Sequence, residues 1–263
     1  MKFNYRRVIP CLDVKDGQLV KGVHFIDLRE VGDPAEAAAN YSATGADELV
    51  FLDITATVEG RQASLATIRR TIERISIPLT VGGGIRSPED VQPLIEAGVS
   101  RVSINTAAVL RPQLVEKLAT EFGSEKIVIA IDTRQNKQLP SGYEVMINGG
   151  RTPTDLDAVE WARKAENLGA GEILPTSMDT DGTGQGYDIA MTRAVSNAVR
   201  IPVIASGGAG SLEDLYRAIT EGGADAVLVA SLFHFGKYTV QQVKEYLLSH
   251  GIPINLPTLL NPR

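Results

Sequence analysis

Cysteine is almost missing: Cys11 is the one cysteine among 263 residues, so neither an internal disulfide nor a cysteine-built zinc cage can form. Histidine is scarce too. Its three copies, His24, His234 and His250, are scattered along the chain, and no metal or cofactor is expected. Positive charge is in short supply, because Lys+Arg 26 against Asp+Glu 32 leaves a net charge of −6, without the basic field that holds nucleic acid. An anionic ligand therefore needs a local site. No apolar stretch approaches the roughly 18 residues of a membrane span, and Arg6, Arg7 and Pro10 stand where a signal peptide needs an apolar run. The expectation is a soluble, cytoplasmic protein that engages neither nucleic acid nor membrane.

Turning to what is there, 43% hydrophobic and 22% charged residues describe an ordinary globular chain able to bury a sizeable core. A prior of about 150 residues per domain does not decide between one domain and two, but a single α/β barrel of about 250 residues uses this whole length as one unit. Eight short apolar runs read as strands: Val8 to Leu12, Glu48 to Leu52, Ile77 to Val81, Arg101 to Ile104, Ile127 to Ile131, Glu172 to Leu174, Ile201 to Ala205 and Ala226 to Val229. Helical spacing follows each, near Ala35–Ala43, Ser64–Arg74, Pro88–Ala97, Pro112–Glu121, Asp155–Leu168, Ile189–Ala198, Leu212–Glu221 and Val240–Ser249. Asp33-Pro34, Ser87-Pro88-Glu89-Asp90 and Ser211-Leu212-Glu213-Asp214 carry N-cap chemistry. Strict alternation with strands apolar throughout implies a parallel sheet covered by helices, and eight repeats favour closure into a (β/α)8 TIM barrel.

The chain also repeats itself. Ile77-Pro78-Leu79-Thr80-Val81-Gly82-Gly83-Gly84 answers Ile201-Pro202-Val203-Ile204-Ala205-Ser206-Gly207-Gly208, and Gly45-Ala46-Asp47-Glu48-Leu49 answers Gly169-Ala170-Gly171-Glu172-Ile173 at the same offset. The reading is one barrel over residues 1–263, with half-barrels of about 1–122 and 123–251 and a tail over 252–263. Two equivalent phosphate-sized sites then face each other across one mouth, so the natural ligand is expected to carry a phosphate at each end.

Each Gly-rich segment follows a strand and precedes a helix, where glycine lets the backbone approach an anion. A lone Gly-Gly merely turns a chain; the paired occurrence favours phosphate. Ser103-Ile104-Asn105-Thr106 and Ala230-Ser231 offer hydroxyl and amide donors beside them. Asp13 ends the first strand and Asp132 the fifth, on opposite walls of an eight-stranded barrel, where two carboxylates can serve as general acid and base. Asp53, Thr176, Ser177 and the Asp181-Gly182-Thr183 loop can accept from or donate to a polyhydroxylated substrate, although Asp-Gly is also an ordinary turn. Residues 14–32 read as a long first loop carrying Lys15, Lys21 and His24, and Tyr143 to Ile147 as a hairpin inserted after the fifth strand, either a lid or padding. Gly82-Gly83-Gly84 is neither a dinucleotide fingerprint nor a Walker loop.

Ile9-Pro10-Cys11-Leu12-Asp13-Val14-Lys15, Val20-Lys21-Gly22, Asp47 to Thr55, Val81-Gly82-Gly83-Gly84-Ile85, Val102 to Ala108 and Ser177 to Thr183 together resemble the cyclase-subunit family of imidazole glycerol phosphate synthase, from about Arg7 to about Gly251. The resemblance implies an enzyme of histidine biosynthesis that takes a bisphosphorylated ribulosyl aminoimidazole carboxamide and ammonia. Its products are imidazole glycerol phosphate and aminoimidazole carboxamide ribotide. Asp132 falls on the general acid and Asp13 on the base, and Lys21, Asp53, Asn105, Thr176, Ser177 and Asp181 fall on substrate contacts. One phosphate would sit at Gly82, Gly83, Asn105 and Thr106, the other at Asp181, Gly182, Gly207, Gly208, Ala230 and Ser231. Ammonia comes from a separate glutaminase subunit docked on the N-terminal face, through a ring of charges matched here by Arg7, Glu48, Arg101 and Glu172. Arg101 keeps a charge where the family commonly has lysine, in a planar, forked shape. Pro175 removes a backbone donor beside Thr176.

Two rivals fit parts of this pattern. The sister isomerase of the same pathway is also a twofold barrel with two strand-end Asp residues, but the Asp53-Ile54-Thr55 run and the long first loop fit the cyclase better. A phosphate-binding scaffold that lost turnover would have little reason to keep both Asp13 and Asp132.

Overall fold

The computed structural model describes residues 4–23 and 26–256. The chain opens with β1 (Arg7–Lys15), β2 (Gln18–Val23) and β3 (Ile26–Gly32), then α1 (Pro34–Ala43), β4 (Leu49–Asp53), α2 (Leu65–Ile72), β5 (Leu79–Gly82) and α3 (Pro88–Glu96). It continues through β6 (Arg101–Ile104), α4 (Thr106–Leu110), α5 (Gln113–Phe122), β7 (Ile127–Gln135), β8 (Tyr143–Ile147), β9 (Thr152–Asp157), α6 (Ala158–Asn167) and β10 (Glu172–Ser177). It ends with α7 (Ile189–Ser196), β11 (Ile204–Ala205), α8 (Leu212–Thr220), β12 (Ala226–Val229), α9 (Ser231–His234) and α10 (Val240–Ser249).

Eight of these strands form the (β/α)8 barrel. Parallel ladders run without interruption through β11, β12, β1, β4, β5, β6, β7 and β10. The seam between β10 and β11 carries no ladder. Two isolated parallel bridges, Ile173 to Val203 and Thr176 to Ser206, span it.

Strand alternation sorts the side chains into an inside and an outside. The outward set packs with the helices into one large core that includes Val8, Leu12, Leu49, Phe51, Ile129, Ile131 and Trp161. The inward set is a smaller apolar plug of Ile9, Cys11, Val50, Val128, Leu174, Ile204, Ala226 and Leu228. Several inward columns also reach a polar residue above or below that plug. On β1 the column is Arg7, Ile9, Cys11 and Asp13; on β10 it is Glu172, Leu174 and Thr176. Charge therefore collects at the two ends of the barrel and apolar bulk in the middle.

Four strands lie beyond the expected eight. The segment read as a long first loop is a hairpin: Asp16 (φ 51°) and Gly17 (φ 78°) turn the chain so that Lys15 pairs with Gln18, and β2 then pairs with β3. Asp-Gly between extended runs is the strongest short hairpin signal, and it was present in the sequence. The hairpin expected at Tyr143–Ile147 is there, and it extends β7 before returning through β9. The helix expected from Asp155 starts at Ala158, because Thr152–Asp157 is paired in β9 and Asp157 caps the helix by accepting from the N–H groups of Val159 and Glu160. The expected caps at Asp33 and Ser211 accept backbone N–H groups of α1 and α8. The short helices α4 and α9, at matching places after β6 and β12, complete the list.

Candidate active site

Two cavities open at the C-terminal ends of the barrel strands. The larger, about 300 Å³, is lined by Asp53, Gly82, Gly83, Ser103, Asn105, Thr106 and Asp132 among others; the smaller, about 80 Å³, by Asp13, Asp132, Thr176, Asp181, Gly182, Gly207, Gly208, Ala230 and Ser231 among others. Leu52, Ala130 and Asp132 belong to both. A ligand reaching from one cavity to the other passes over Asp132.

Asp132 sits where β7 runs on into its hairpin extension, so its column places it on top of Val128 and Ala130 and its backbone is held by Met146 of β8. Burial pushes its carboxyl pKa up to about 7, the neighbouring Asp181 pushes in the same direction, and a hydrogen bond with Asn105 opposes both. It can carry a proton near neutral pH. Asp13, at the top of the β1 column, accepts a 3.3 Å hydrogen bond from the Cys11 thiol. The two carboxyls thus stand in different surroundings at one cavity.

The Gly turns after β5 and β11 share a conformation. Gly83 (φ 106°) lies so close to the end of β4 that a Cβ there would stand 2.3 Å from the Asp53 carbonyl oxygen; at Gly207 (φ 89°) it would stand 2.8 Å from the carbonyl of Ser177. Both turns need glycine for space and for backbone angle. Gly83→Ala is therefore expected to destabilise the protein by about 1–3 kcal/mol. Gly142→Ala, with φ 81° and open space around it, bears only the backbone penalty of roughly 1–2 kcal/mol. Urea titration of the two variants checks this.

The remaining expected positions divide. Thr106 accepts the Asn148 N–H at 2.9 Å and Asn105 donates to the Met146 carbonyl at 3.5 Å, which ties the β8–β9 turn to this loop as a wall of the larger cavity. Asp53 lines that cavity, yet both its carboxylate oxygens accept from Arg61, at 2.5 and 2.9 Å, and one also takes the Ala56 N–H. It holds the second βα loop in place. Ser177 is fully buried and lines neither cavity; one residue beyond inward-facing Thr176, it falls on the outer face. Lys21 pairs through its backbone with Arg29, and its side chain, like His24, lies outside the described residues. Sequence reasoning missed Arg86, Arg111, Asn148, Gly149 and Arg151 of the larger cavity. Among the described residues no group of three or more His, Cys, Asp and Glu is placed to hold a metal ion, and no helix is long and apolar enough to cross a membrane.

A family model described as "Histidine biosynthesis protein" matches residues 7–239. The chain belongs to that family. Its members are enzymes of histidine biosynthesis, and the family holds both the cyclase and the isomerase of the pathway.

In this histidine-biosynthesis barrel the opposite, N-terminal end of the strands is closed by charge. Arg7 donates from Nη1 to Glu48 at 2.9 Å and from Nη2 to Glu172, while Arg101 donates to the other oxygen of Glu48 at 2.7 Å. The four residues named from the sequence form one connected network. Arg7, Glu48 and Glu172 are buried. Burial favours the neutral form of Arg7, but Glu172 and Glu48 outweigh it and hold the guanidinium charged; burial raises the pKa of Glu172 against the opposing pull of Arg7. Beside this network the tail begins in an ordered way: the Arg6 N–H donates to the Pro253 carbonyl at 2.7 Å, and buried Lys244 joins Asp47 to the Asn255 carbonyl. Residues 257–263 of the tail lie outside the described residues.

Proposed function

We propose that this family member is the cyclase, acting on the bisphosphorylated ribulosyl aminoimidazole carboxamide and ammonia to give imidazole glycerol phosphate and aminoimidazole carboxamide ribotide. What supports the choice over the isomerase is the charged network at the N-terminal end. The columns that carry Asp13 and Thr176 at one end carry Arg7 and Glu172 at the other, as an enzyme fed with ammonia through its barrel requires. An isomerase, whose only substrate enters at the mouth, has no use for such a gate.

In this reading one phosphate rests at Gly82, Gly83, Asn105 and Thr106 and the other at Asp181, Gly182, Gly207, Gly208, Ala230 and Ser231, so the reacting centre lies over Asp132. Ammonia adds to the carbonyl carbon of the ribulosyl chain, water leaves, and ring closure expels the ribotide. Each step moves a proton off the incoming nitrogen and onto a departing oxygen or nitrogen. Asp132, protonated up to about pH 7, supplies the second kind of transfer, and Asp13 takes up the first. Lys21 draws the anionic substrate in, and a separate glutaminase subunit on the N-terminal face supplies the ammonia.

The test is turnover of the ribulosyl intermediate by the isolated chain with ammonium at alkaline pH and, separately, with glutamine alone. Activity with ammonium and none with glutamine is the expected result. Conversion of the unrearranged isomer, with no turnover of the ribulosyl intermediate, would transfer the protein to the isomerase branch.

A further inference from the structure

We propose that Arg86, Arg111 and Arg151 form an anion-capturing rim over the larger cavity, so that the two phosphate ends of the substrate are held by different forces and the end in the larger cavity docks first. The proposal deepens the two-phosphate reading above and rests on it. The three arginines come from separate segments: Arg86 from the turn after β5, Arg111 from the end of α4, and Arg151 from the β8–β9 turn. All three line that one cavity. They are exposed, and among the described residues none is paired with a carboxylate.

Their partners are neutral instead. Arg111 donates to the backbone carbonyl of Arg86 at 2.6 Å, and Arg86 donates to the carbonyl of Gly60 at 3.0 Å. Carbonyl oxygens orient these guanidiniums without cancelling their charge, which leaves like charges gathered around a cavity. A phosphate placed among them relieves that repulsion and takes forked, charge-assisted hydrogen bonds. The smaller cavity is the reverse. Among the described residues its lining includes Asp13, Asp181 and the shared Asp132 and neither Arg nor Lys, so the described groups there offer a phosphate neutral donors beside carboxyls.

The internal repeat sharpens the contrast. Ser87 answers Ser211 and Thr106 answers Ser231, so Gly210 stands where the first half has Arg86, and Gly236 where it has Arg111. Lys237 reaches the Gly210 carbonyl much as Arg111 reaches that of Arg86, but among the described residues no cation lines the smaller cavity as the three arginines line the larger one. Three cations at the rim, against Asp132 and an Asp53 already paired with Arg61, give a net positive field that accelerates encounter with an anion and orients it. The order of docking follows from it.

The probe is inorganic phosphate, titrated into the full chain by calorimetry and by phosphorus resonance, at ionic strengths of about 0.01 M and 0.1 M, across which the Debye length shrinks from about 30 Å to about 10 Å. The wild type is expected to show one salt-sensitive binding event. The double variant R111Q/R151Q should weaken that event by about 10-fold or more and flatten its salt dependence; R111K/R151K should retain the salt dependence, and Ser231→Ala in the smaller cavity should leave the event unchanged. The proposal is overturned if R111Q/R151Q keeps the wild-type affinity and salt dependence, if no phosphate binds, or if Ser231→Ala abolishes the salt-sensitive event. Ammonium-dependent turnover is read separately. Its absence beside intact, arginine-dependent capture sinks the cyclase reading and leaves the rim; its presence beside unaltered phosphate binding in R111Q/R151Q sinks the rim and leaves the cyclase.

Discussion

Asp132→Asn is expected to lower ammonium-dependent turnover by about 10²- to 10⁴-fold while making the protein more stable at alkaline pH. Both effects follow from one property. Burial, helped by Asp181, lifts the Asp132 pKa to about 7, far above the roughly 3.9 of an unfolded Asp. Between those two values the folded state holds a proton that the unfolded state has lost, so the stability linked to this group is full below about pH 4 and drains away as pH rises through about 7. Asparagine has no such dependence. The variant should therefore match the wild type near pH 4–5 and exceed it at pH 8 by on the order of a few kcal/mol, read from urea unfolding at the two pH values. At a fixed concentration of free ammonia the wild-type kcat/KM for the ribulosyl substrate should fall as pH rises through about 7, since the free enzyme then loses its acid, and Asp181→Asn should bring that limb down in pH. Equal stability of D132N and wild type at pH 8, or unchanged turnover, would remove Asp132 from the acid role. Phosphate affinity, which this side chain does not supply, should change little.

The parts of the site that could be read from the sequence are those fixed by local geometry. Asp13 and Asp132 were legible because a strand-end residue in register with an apolar column must face the mouth. Gly82-Gly83 and Gly207-Gly208 were legible because a turn squeezed against the next strand admits nothing larger. Ser177 lies outside both cavities for a reason that is also local: β10 stays extended through Ser177, so alternation sends Thr176 inward and its neighbour outward. Asp53 falls just past inward-facing Leu52, and its partner Arg61 lies in a loop whose path no periodicity encodes. The arginine rim was invisible for the same reason on a larger scale. Arg86, Arg111 and Arg151 meet only because three connections converge over one cavity, and each taken singly reads as a solvated surface charge.

The charged network at the other end yields the second large effect. Replacing Arg7 with Met removes the cation that touches both Glu48 and Glu172 and, among the described residues, leaves these buried carboxylates with Arg101 as ion-pair partner, at Glu48. Breaking a buried ion pair from one side commonly destabilises by about 3–5 kcal/mol, because the stranded charge stays desolvated. That loss should depend on pH. Glu172 already has its pKa raised by burial against the pull of Arg7; without Arg7 it rises further, the folded state gains protons relative to the unfolded one, and the variant loses stability as pH rises. R7M should therefore melt nearer the wild type at pH 5 than at pH 8, and the triple change R7M/E48Q/E172Q should regain much of the lost stability at both. Arg101→Met is the comparison, since Arg101 is only partly buried and Glu48 keeps Arg7; about 1 kcal/mol is expected there. If R7M and R101M lose the same amount, or if the loss in R7M does not depend on pH, the network is not a desolvated one. Ammonium-dependent turnover of folded R7M then separates two roles, because a gate acting only on channelled ammonia can be dismantled while ammonia entering from solvent at the mouth still reacts.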